Sequence, residues 1–133
     1  MVADPFVDTN VLIYTLSRDD RRAHRAQQIL RDGGVISVQV LNEFVAVMRG
    51  RYKLEWSDIQ TPLDIIQSNF TVTPVTLQTH RAGMSIAERF GYRIYDSLLL
   101  AAAVEAGCST FLSEDLQHGQ VIEDALTVVN PFQ

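Results

Sequence analysis

The sequence predicts an α/β fold, with a central parallel sheet flanked by helices on both of its faces. Short runs rich in β-branched and aromatic residues alternate with longer stretches in which apolar residues recur at three- and four-residue steps. Strands separated by helices of this length are typical of βαβ units. The chain has 133 residues, of which 47% are hydrophobic and 20% charged, and we expect it to form one domain spanning residues 1–133.

The first third of the chain is expected to contain two strands and two helical regions. Pro5-Phe6-Val7 predicts the first strand, and a helical region follows from about Val11 to Arg31. Gly33-Gly34 breaks this region before a second strand at residues 35–38. Apolar residues at helical spacing then predict a helix with one buried face, which ends near Gly50: Val40, Leu41, Phe44, Val45 and Met48.

Three further helices and three further strands are expected after Gly50. In chain order they are a helix from Ser57, as its N-cap, to Ser68, a strand at 70–73, helices at 76–90 and 97–106, and strands at 110–112 and 126–129. Gly91 stops the helix at 76–90, and Gly107 closes the one at 97–106. Glycine suits these positions because it adopts the left-handed conformation of a helix C-cap without steric cost.

The charges are distributed unevenly along the chain. The net charge is −5, yet all 11 Lys and Arg residues lie between Arg18 and Arg93, and the segment from Ile94 onwards carries only acids. A polyanion could meet the basic side while the acids hold cations, although solvated helix faces explain the pattern equally well. The candidate phosphate contacts are Arg18, Arg21, Arg22 and Arg25 on one helix, and Arg49, Arg51 and Lys53 further on. The aromatic residues that could stack on bases, or simply pack, are Tyr52, Trp56 and Tyr92.

The sequence favours a cytoplasmic protein. Its single cysteine, Cys108, cannot form an internal disulfide and reads as a small core residue. The segment Met1 to Asp8 carries acids where a targeting signal would have a basic stretch before an apolar run. The longest apolar stretch, Leu98 to Val104, is far shorter than the ~20 residues that cross a bilayer, so we expect no membrane association.

Four acidic residues occur where such a fold would bring them together. Asp8 ends the first strand, Asp115 follows the strand at 110–112, Asp96 lies in the first turn of its helix, and Glu43 lies in the helix after the second strand. Ligands of open α/β sheets gather outside the carboxyl ends of the strands, so we expect these side chains to converge. Taken singly, each acid is more often a helix cap, a turn residue or a solvated position than a functional ligand.

Convergence of four carboxylates would have chemical consequences. Like charges held together repel, which should raise the pKa of at least one carboxylate in the metal-free protein and favours a bound cation. Oxygen ligands without a Cys/His set indicate Mg²⁺ or Mn²⁺ and not structural zinc. The sequence therefore predicts a divalent-metal site.

Four segments resemble the motifs of a known family. Phe6-Val7-Asp8-Thr9-Asn10-Val11-Leu12 closely resembles the opening motif of PIN-domain nucleases, and Leu41-Asn42-Glu43-Phe44 is similar to the second. The segment from Tyr95 to Ala103 resembles the third motif, and the segment from Leu112 to Gly119 resembles the fourth. Their order and spacing cover the chain from Phe6 to about Phe132, and the compact length looks most like the VapC toxins of bacterial toxin–antitoxin pairs.

This resemblance implies a divalent-metal-dependent ribonuclease that hydrolyses RNA to a 5′-phosphate and a 3′-hydroxyl. The implied catalytic and metal-binding residues are Asp8, Glu43, Asp96 and Asp115, and the implied supporting residues are Thr9, Asn10 and Ser113. The resemblance also implies a homodimer and a cognate antitoxin protein as partner. Some relatives carry a further acid just after the fourth motif's Asp, where this chain has Gln117 and His118, so the number of metals is left open.

Other functions remain open on the sequence. The chain could be a PIN-like domain that acts in RNA processing, or a non-catalytic binding module with vestigial acids. A nucleotide-binding protein would carry a G-x-G-x-x-G or P-loop motif, and none follows a predicted strand. A phosphoryl-transfer enzyme with Asp8 as nucleophile would carry a second acid two residues on, where Asn10 stands. We expect His118 to be structural or at the surface, and Glu114 to point away from Asp115.

Overall fold

The computed structural model describes residues 4–133, so the first three residues of the segment Met1 to Asp8 lie outside the described part. Along the chain, the elements are β1 (Phe6–Val7), α1 (Thr9–Ile13), a 3₁₀ turn (Tyr14–Leu16), α2 (Asp20–Asp32), β2 (Gly34–Ser37), α3 (Val38–Gly50), α4 (Trp56–Asn69), β3 (Phe70–Thr73), α5 (Leu77–Phe90), α6 (Ile94–Glu105), β4 (Thr110–Leu112), β5 (Val121–Ile122) and β6 (Leu126–Val129). The strand order is β3-β2-β1-β4-β6-β5, and every neighbouring pair is parallel except β5 and β6. The predicted α/β fold is confirmed.

Strand β1 occupies the centre of the sheet, between β2 and β4. Phe6 and Val7 are fully buried, as expected for a parallel strand that is covered on both faces. The Phe6 ring stacks on that of Phe111 in β4, with ring centroids 5.4 Å apart. After Val7 the chain leaves the sheet, which places Asp8 at the carboxyl edge of its most buried strand.

The prediction of one helical region from Val11 to Arg31 is wrong. Helix α1 ends at Ile13, and α2 begins only at Asp20, after the 3₁₀ turn. The Asp19 carboxylate caps α2 by accepting hydrogen bonds from the backbone N–H groups of Arg21 and Arg22 at 3.1 and 3.3 Å. The Asp19 N–H in turn donates to the Ser17 hydroxyl at 3.0 Å. These local bonds offer the backbone an alternative to a continuous helix, which explains the break.

Three other boundaries differ from the prediction, and one short strand was not predicted. Helix α4 begins at Trp56, with Glu55 and not Ser57 at the N-cap position. Helix α6 begins at Ile94, three residues before the predicted start. The short edge strand β5 was not predicted, because two residues give no readable alternation. Val38 opens α3 and is not part of β2.

Helices α5 and α6 approach each other closely, which positions the helix that carries Asp96. A Cβ on Gly83 would lie 2.8 Å from Leu98 Cδ2 and 3.3 Å from Leu98 Cα, so a larger residue would require the Leu98 side chain to move and its backbone to shift by a few tenths of an ångström. Gly107 ends α6 in the left-handed conformation with φ of 76°, which confirms its predicted role. Its N–H donates to Val104 O at 3.0 Å.

The structure bears on two features of the sequence, the cysteine and the apolar stretches. Cys108 is 4% exposed and belongs to the apolar core, as predicted. Within residues 4–133, no helix is both long and apolar enough to cross a membrane.

Candidate metal centre

The carboxyl edge of the sheet brings the four predicted acids near one another. Asp8 follows β1, Asp115 follows β4, Glu43 lies in α3 after β2, and Asp96 lies in the first turn of α6. The charges of Asp115, Asp96 and Glu43 all act on the Asp8 carboxylate and raise its pKa. Asp8 is therefore the common neighbour of acids that are up to 107 residues away in the sequence, the separation of Asp8 and Asp115 (115 − 8).

Asp8 is the most buried of these acids, with 5% of its surface exposed. Burial, and to a lesser degree the three neighbouring acids, raises the pKa of Asp8 from 3.8 to about 7. The Ser113 hydroxyl opposes this shift by donating a hydrogen bond to Asp8 Oδ2 at 2.8 Å. The prediction that one carboxylate would have a raised pKa is confirmed, but desolvation is the leading cause and not repulsion between like charges.

The three predicted supporting residues take different positions around this carboxylate. Ser113 is fully buried, and besides its bond to Asp8 its hydroxyl accepts the backbone N–H of Asp115 at 3.2 Å. The Asn10 side-chain amide donates to Asp115 Oδ2. Thr9 is 3% exposed, and its buried hydroxyl oxygen has no hydrogen-bond partner. Ser113 therefore connects Asp8 to the loop of Asp115, while Asn10 holds the Asp115 side chain.

Glu43 projects into a cavity between α3 and the start of α6. The cavity has a volume of about 390 Å³ and is lined by Gln39, Asn42, Glu43, Ala46, Arg93, Tyr95 and Asp96. The Glu43 Oε2 atom is buried without a hydrogen-bond partner. Burial, with a further contribution from Asp96, raises the pKa of the Glu43 carboxyl, while Gln39 and Arg93 lower it.

Sequence reasoning missed the residue that pairs with Asp96. Arg93 Nε lies 3.2 Å from Asp96 Oδ2, and the Arg93 side chain is otherwise exposed to solvent. The available signal was the spacing: residues three apart at a helix start lie on the same face, where opposite charges attract. Arg93 therefore places a positive charge at the mouth of the cavity that holds Glu43.

The side chains fit a hard divalent cation in their chemistry but do not form a closed ligand set. Among residues 4–133, no group of three or more His, Cys, Asp or Glu side chains is arranged so that it could hold a metal ion. Three of the four acids already accept from protein donors, Asp8 from Ser113, Asp96 from Arg93 and Asp115 from Asn10. The unpartnered Glu43 oxygen and the buried Asp8 are the oxygen donors that such a cation prefers. Each of the three pairings occupies one carboxylate oxygen, Oδ2, and a ligating carboxylate can keep such a hydrogen bond while it binds a metal.

Neighbouring polar residues are occupied elsewhere, as expected. Glu114 faces away from the cluster, because Arg22 donates two hydrogen bonds to its carboxylate at 3.1 and 2.8 Å. His118 Nδ1 accepts the backbone N–H of Asn130 at 3.0 Å, which is a structural role.

Several candidate RNA contacts are also occupied. The Arg25 Nε donates to Pro131 O at 3.1 Å, and the Arg49 guanidinium lies 4.6 Å from the centre of the Trp56 ring. Tyr92 stacks on Phe90, with ring centroids 6.0 Å apart. Arg22, committed to Glu114, is likewise not free for a phosphate.

The fold and the site define an α/β protein whose carboxyl edge carries clustered acids. The PIN domain family model matches residues 6–123, and the chain belongs to this family. No curated protein is significantly similar to the sequence.

Several solved structures share the fold. A toxin–antitoxin complex from Klebsiella pneumoniae matches with a TM-score of 0.69 at 18% identity, over 96% of this chain and 97% of the other. VapBC2 from Rickettsia felis, bound to a DNA fragment from its promoter, has a TM-score of 0.64 at 18% identity, over 96% and 97% of the two chains. The sarcin–ricin loop cleaving toxin VapC20 from Mycobacterium tuberculosis has a TM-score of 0.65 at 18% identity, over 84% and 91%.

The raised pKa of Asp8 predicts how the stability of the metal-free protein depends on pH. Below pH 3.8 the Asp8 carboxyl is protonated in both the folded and the unfolded protein, and its contribution to stability is fully present. This contribution is lost as the pH rises from 3.8 through about 7, because the unfolded protein ionises the carboxyl freely whereas the folded protein must ionise it in a buried position. The free energy of unfolding should fall by up to about 4 kcal/mol from this group across the interval. Thermal melting in EDTA at stepped pH measures the change.

The matched variants for this experiment are Asp8→Asn and Asp32→Asn. Asparagine at residue 8 still accepts the Ser113 hydrogen bond and does not titrate, so its melting temperature should vary much less with pH. Asp32 is exposed at the end of α2, and its variant should behave as the wild type. A wild-type melting temperature that is constant or rises between pH 4 and 7 would contradict the assignment of a raised pKa to Asp8.

Proposed function

We propose that the protein is a divalent-metal-dependent endoribonuclease that hydrolyses RNA phosphodiester bonds at the edge formed by Asp8, Glu43, Asp96 and Asp115. The observation that carries the proposal is the buried Asp8, whose pKa is raised by burial and by three surrounding acids. Such an arrangement costs stability unless a cation neutralises it, which favours a functional role for the cluster. Membership of the PIN domain family supports the same conclusion.

Each residue would have a distinct part in the reaction. The four carboxylates would hold Mg²⁺ or Mn²⁺, which when bound lowers the pKa of water and neutralises charge on the phosphate oxygens. Ser113 keeps Asp8 Oδ2 in a fixed position through its 2.8 Å hydrogen bond. Besides holding the metal, Glu43 would accept a proton from the attacking water through its unpartnered Oε2. The lower burial of Asp115 leaves room for the substrate on its side.

We further propose that the protein is the toxin of a toxin–antitoxin pair, with a protein antitoxin as its partner and a homodimer as its assembly. This proposal is supported by the sequence motifs and by the shared fold with a toxin–antitoxin complex and with a sarcin–ricin loop cleaving toxin. The alternative, a non-catalytic binding module, is favoured by one observation. Arg93 and Asn10 already neutralise or occupy two of the four acids.

A metal titration separates the nuclease from the binding module. Adding Mn²⁺ to the metal-free protein should raise the melting temperature. The free energy of unfolding should increase by about 2.7 kcal/mol when the free metal concentration reaches 100 times its Kd. Binding near pH 6 should release a proton, because Asp8 is largely protonated there and a ligand must be ionised. Calorimetry in buffers of different ionisation enthalpy measures this release, and a parallel assay with labelled single-stranded RNA measures cleavage.

The two readouts should respond together. Asp8→Asn should show neither the stabilisation nor the cleavage, whereas Asp32→Asn should show both. Absence of any thermal shift or cleavage at millimolar Mn²⁺ and Mg²⁺, with folded protein, would rule out the nuclease and leave the binding module.

A further inference from the structure

A second cavity lies beside the acid cluster, between the first helical segment and the end of α3. Its volume is about 280 Å³, and it is lined by Asn10, Ile13, Tyr14, Ser17, Arg51 and Tyr52. This volume lies just below the ~300 Å³ of the smallest pockets for drug-sized ligands, so the cavity suits a small group such as a single nucleobase.

The cavity adjoins the proposed cleavage site through one residue. Asn10 forms part of its wall and also donates a hydrogen bond to Asp115. Glu43 and Asp96 line the other cavity, and the two cavities share no residue. The acid cluster therefore borders this second cavity through Asn10 and Asp115, and the other cavity through Glu43 and Asp96. An RNA strand bound at the acids can extend past Asn10 into the second cavity.

The wall formed by the turn after α3 offers groups that are free to bind a ligand. Tyr52 is 41% exposed, and among the described residues its ring stacks on no other aromatic ring. Within the same part of the chain, the exposed Arg51 guanidinium forms no salt bridge or side-chain hydrogen bond, in contrast to Arg22 and Arg49. The backbone N–H groups of Arg51 and Tyr52 both donate to Val47 O, at 2.8 and 3.3 Å, which fixes this turn to the helix.

On the side of the first helical segment, the Tyr14 side chain is held by packing. Tyr14 packs edge-on against Phe132, with ring centroids 5.1 Å apart, and the Arg22 guanidinium lies 5.6 Å from the centre of the Tyr14 ring. The Tyr14 hydroxyl is 3.5 Å from Glu114 Oε1. Among the described residues, the cavity is thus lined by one packed tyrosine, Tyr14, and by Tyr52 and Arg51, whose side chains have no such partners.

We propose that this cavity is a subsite for one unpaired nucleobase next to the cleaved phosphodiester bond, with Tyr52 stacked on the base and Arg51 bound to an adjacent phosphate. The proposal rests on the proposed ribonuclease function and deepens it. Aromatic side chains recognise RNA by stacking on bases that are splayed out of the helix, and a base inside a duplex cannot enter a cavity of this kind. The positive charge of Arg51 favours a polyanion over a basic segment of a protein partner.

Cleavage of defined oligonucleotides tests the subsite. A single-stranded RNA that the wild-type protein cleaves is prepared with an abasic residue at each position around the mapped cleavage site. In the wild type, one abasic position should lower kcat/KM by roughly 5- to 160-fold, the typical value of one stacked base. Tyr52→Ala should cause a loss of similar size with the intact RNA, mainly through KM, and Tyr52→Phe should retain the wild-type value. In Tyr52→Ala the abasic penalty should disappear, because the base then has no stacking partner.

Arginine variants and a duplex substrate complete the test. Arg51→Gln should weaken cleavage of every RNA by a similar factor and reduce its salt dependence, since phosphate contacts read no sequence. The control is Arg31→Gln, an exposed arginine in the last turn of α2, next to the amino end of β2 and therefore at the opposite edge of the sheet. It should behave as the wild type. When the nucleotide at the sensitive position is paired with a complementary strand, the wild type and Tyr52→Ala should have similar kcat/KM values.

The outcomes distinguish failure of the subsite from failure of the nuclease. If the wild type cleaves RNA but the abasic penalty is unchanged in Tyr52→Ala, the subsite is wrong and the nuclease stands. If no RNA is cleaved at any metal concentration, the nuclease is rejected, and fluorescence anisotropy in EDTA then tests base binding by itself. Weaker RNA binding by Tyr52→Ala than by Tyr52→Phe would uphold Tyr52 as a base-stacking residue, and equal binding would overturn the subsite as well. If the variants alter only the binding of a protein partner, that partner occupies the cavity and the RNA subsite is rejected.

Discussion

Replacing Asp8 or Asp96 with asparagine is expected to lower RNA cleavage at least about 100-fold while the protein remains folded. Even residues that only support metal ligands typically cost 10- to 100-fold in metal affinity or activity, so loss of a ligand should cost at least that much. Asparagine preserves the shape of both side chains. At residue 8 it also removes a buried carboxyl whose pKa is raised to about 7, so the metal-free variant should be more stable than the wild type at neutral pH.

This combination of lost activity and retained or increased stability excludes unfolding as the cause of inactivity. Initial cleavage rates of a labelled RNA in Mn²⁺, together with melting temperatures in EDTA, provide the two measurements. Asp32→Asn serves as the control for a carboxylate outside the site and should cleave at the wild-type rate. Wild-type activity in either folded variant would show that the residue is not a metal ligand, and would remove Asp8 or Asp96 from the proposed site.

The sequence predicted the residues that are determined by local order along the chain. Asp8 was predictable because a short apolar run, Phe6-Val7, leads directly into it, and a central parallel strand must be apolar on both faces. Gly107 was predictable because its left-handed conformation follows from its place after a helix. Helical patterns in the sequence placed Glu43 and Asp96 on helices, and the fold class predicted that both acids lie near the carboxyl edge.

Properties that depend on tertiary contacts could not be predicted. The sequence gives no sign that Arg22 binds Glu114, 92 residues away, and so it left Arg22 among the candidate phosphate contacts. It also could not show that desolvation dominates the raised pKa of Asp8, because burial of that carboxyl depends on how the sheet and helices pack around it. The pairing of Arg93 with Asp96 was local, but the motif drew attention to the acid alone.

Expression of this chain alone in a bacterial host is expected to stop growth, and co-expression of the protein encoded next to it is expected to restore growth. A ribonuclease without its inhibitor degrades RNA that the host needs, which is the basis of the proposed toxin role. The structure offers a physical route for inhibition. Arg93 already binds Asp96 through its guanidinium, which shows that this edge of the sheet accepts an arginine. An arginine supplied by a partner would pair bidentately with the carboxylates and compete with both metal and substrate.

An exposed ion pair alone contributes little affinity, so the partner must also bury apolar surface. We expect an amphipathic segment that lays its apolar face in a groove and carries the arginine to the acids. Growth curves and protein-synthesis rates after induction measure toxicity, with soluble protein confirmed in each culture. Asp8→Asn should abolish toxicity while it still binds the partner in a pull-down assay, and Asp32→Asn should remain toxic. Normal growth at confirmed soluble levels of the wild-type chain would reject the toxin role, and the nuclease proposal would then depend on the cleavage assay alone.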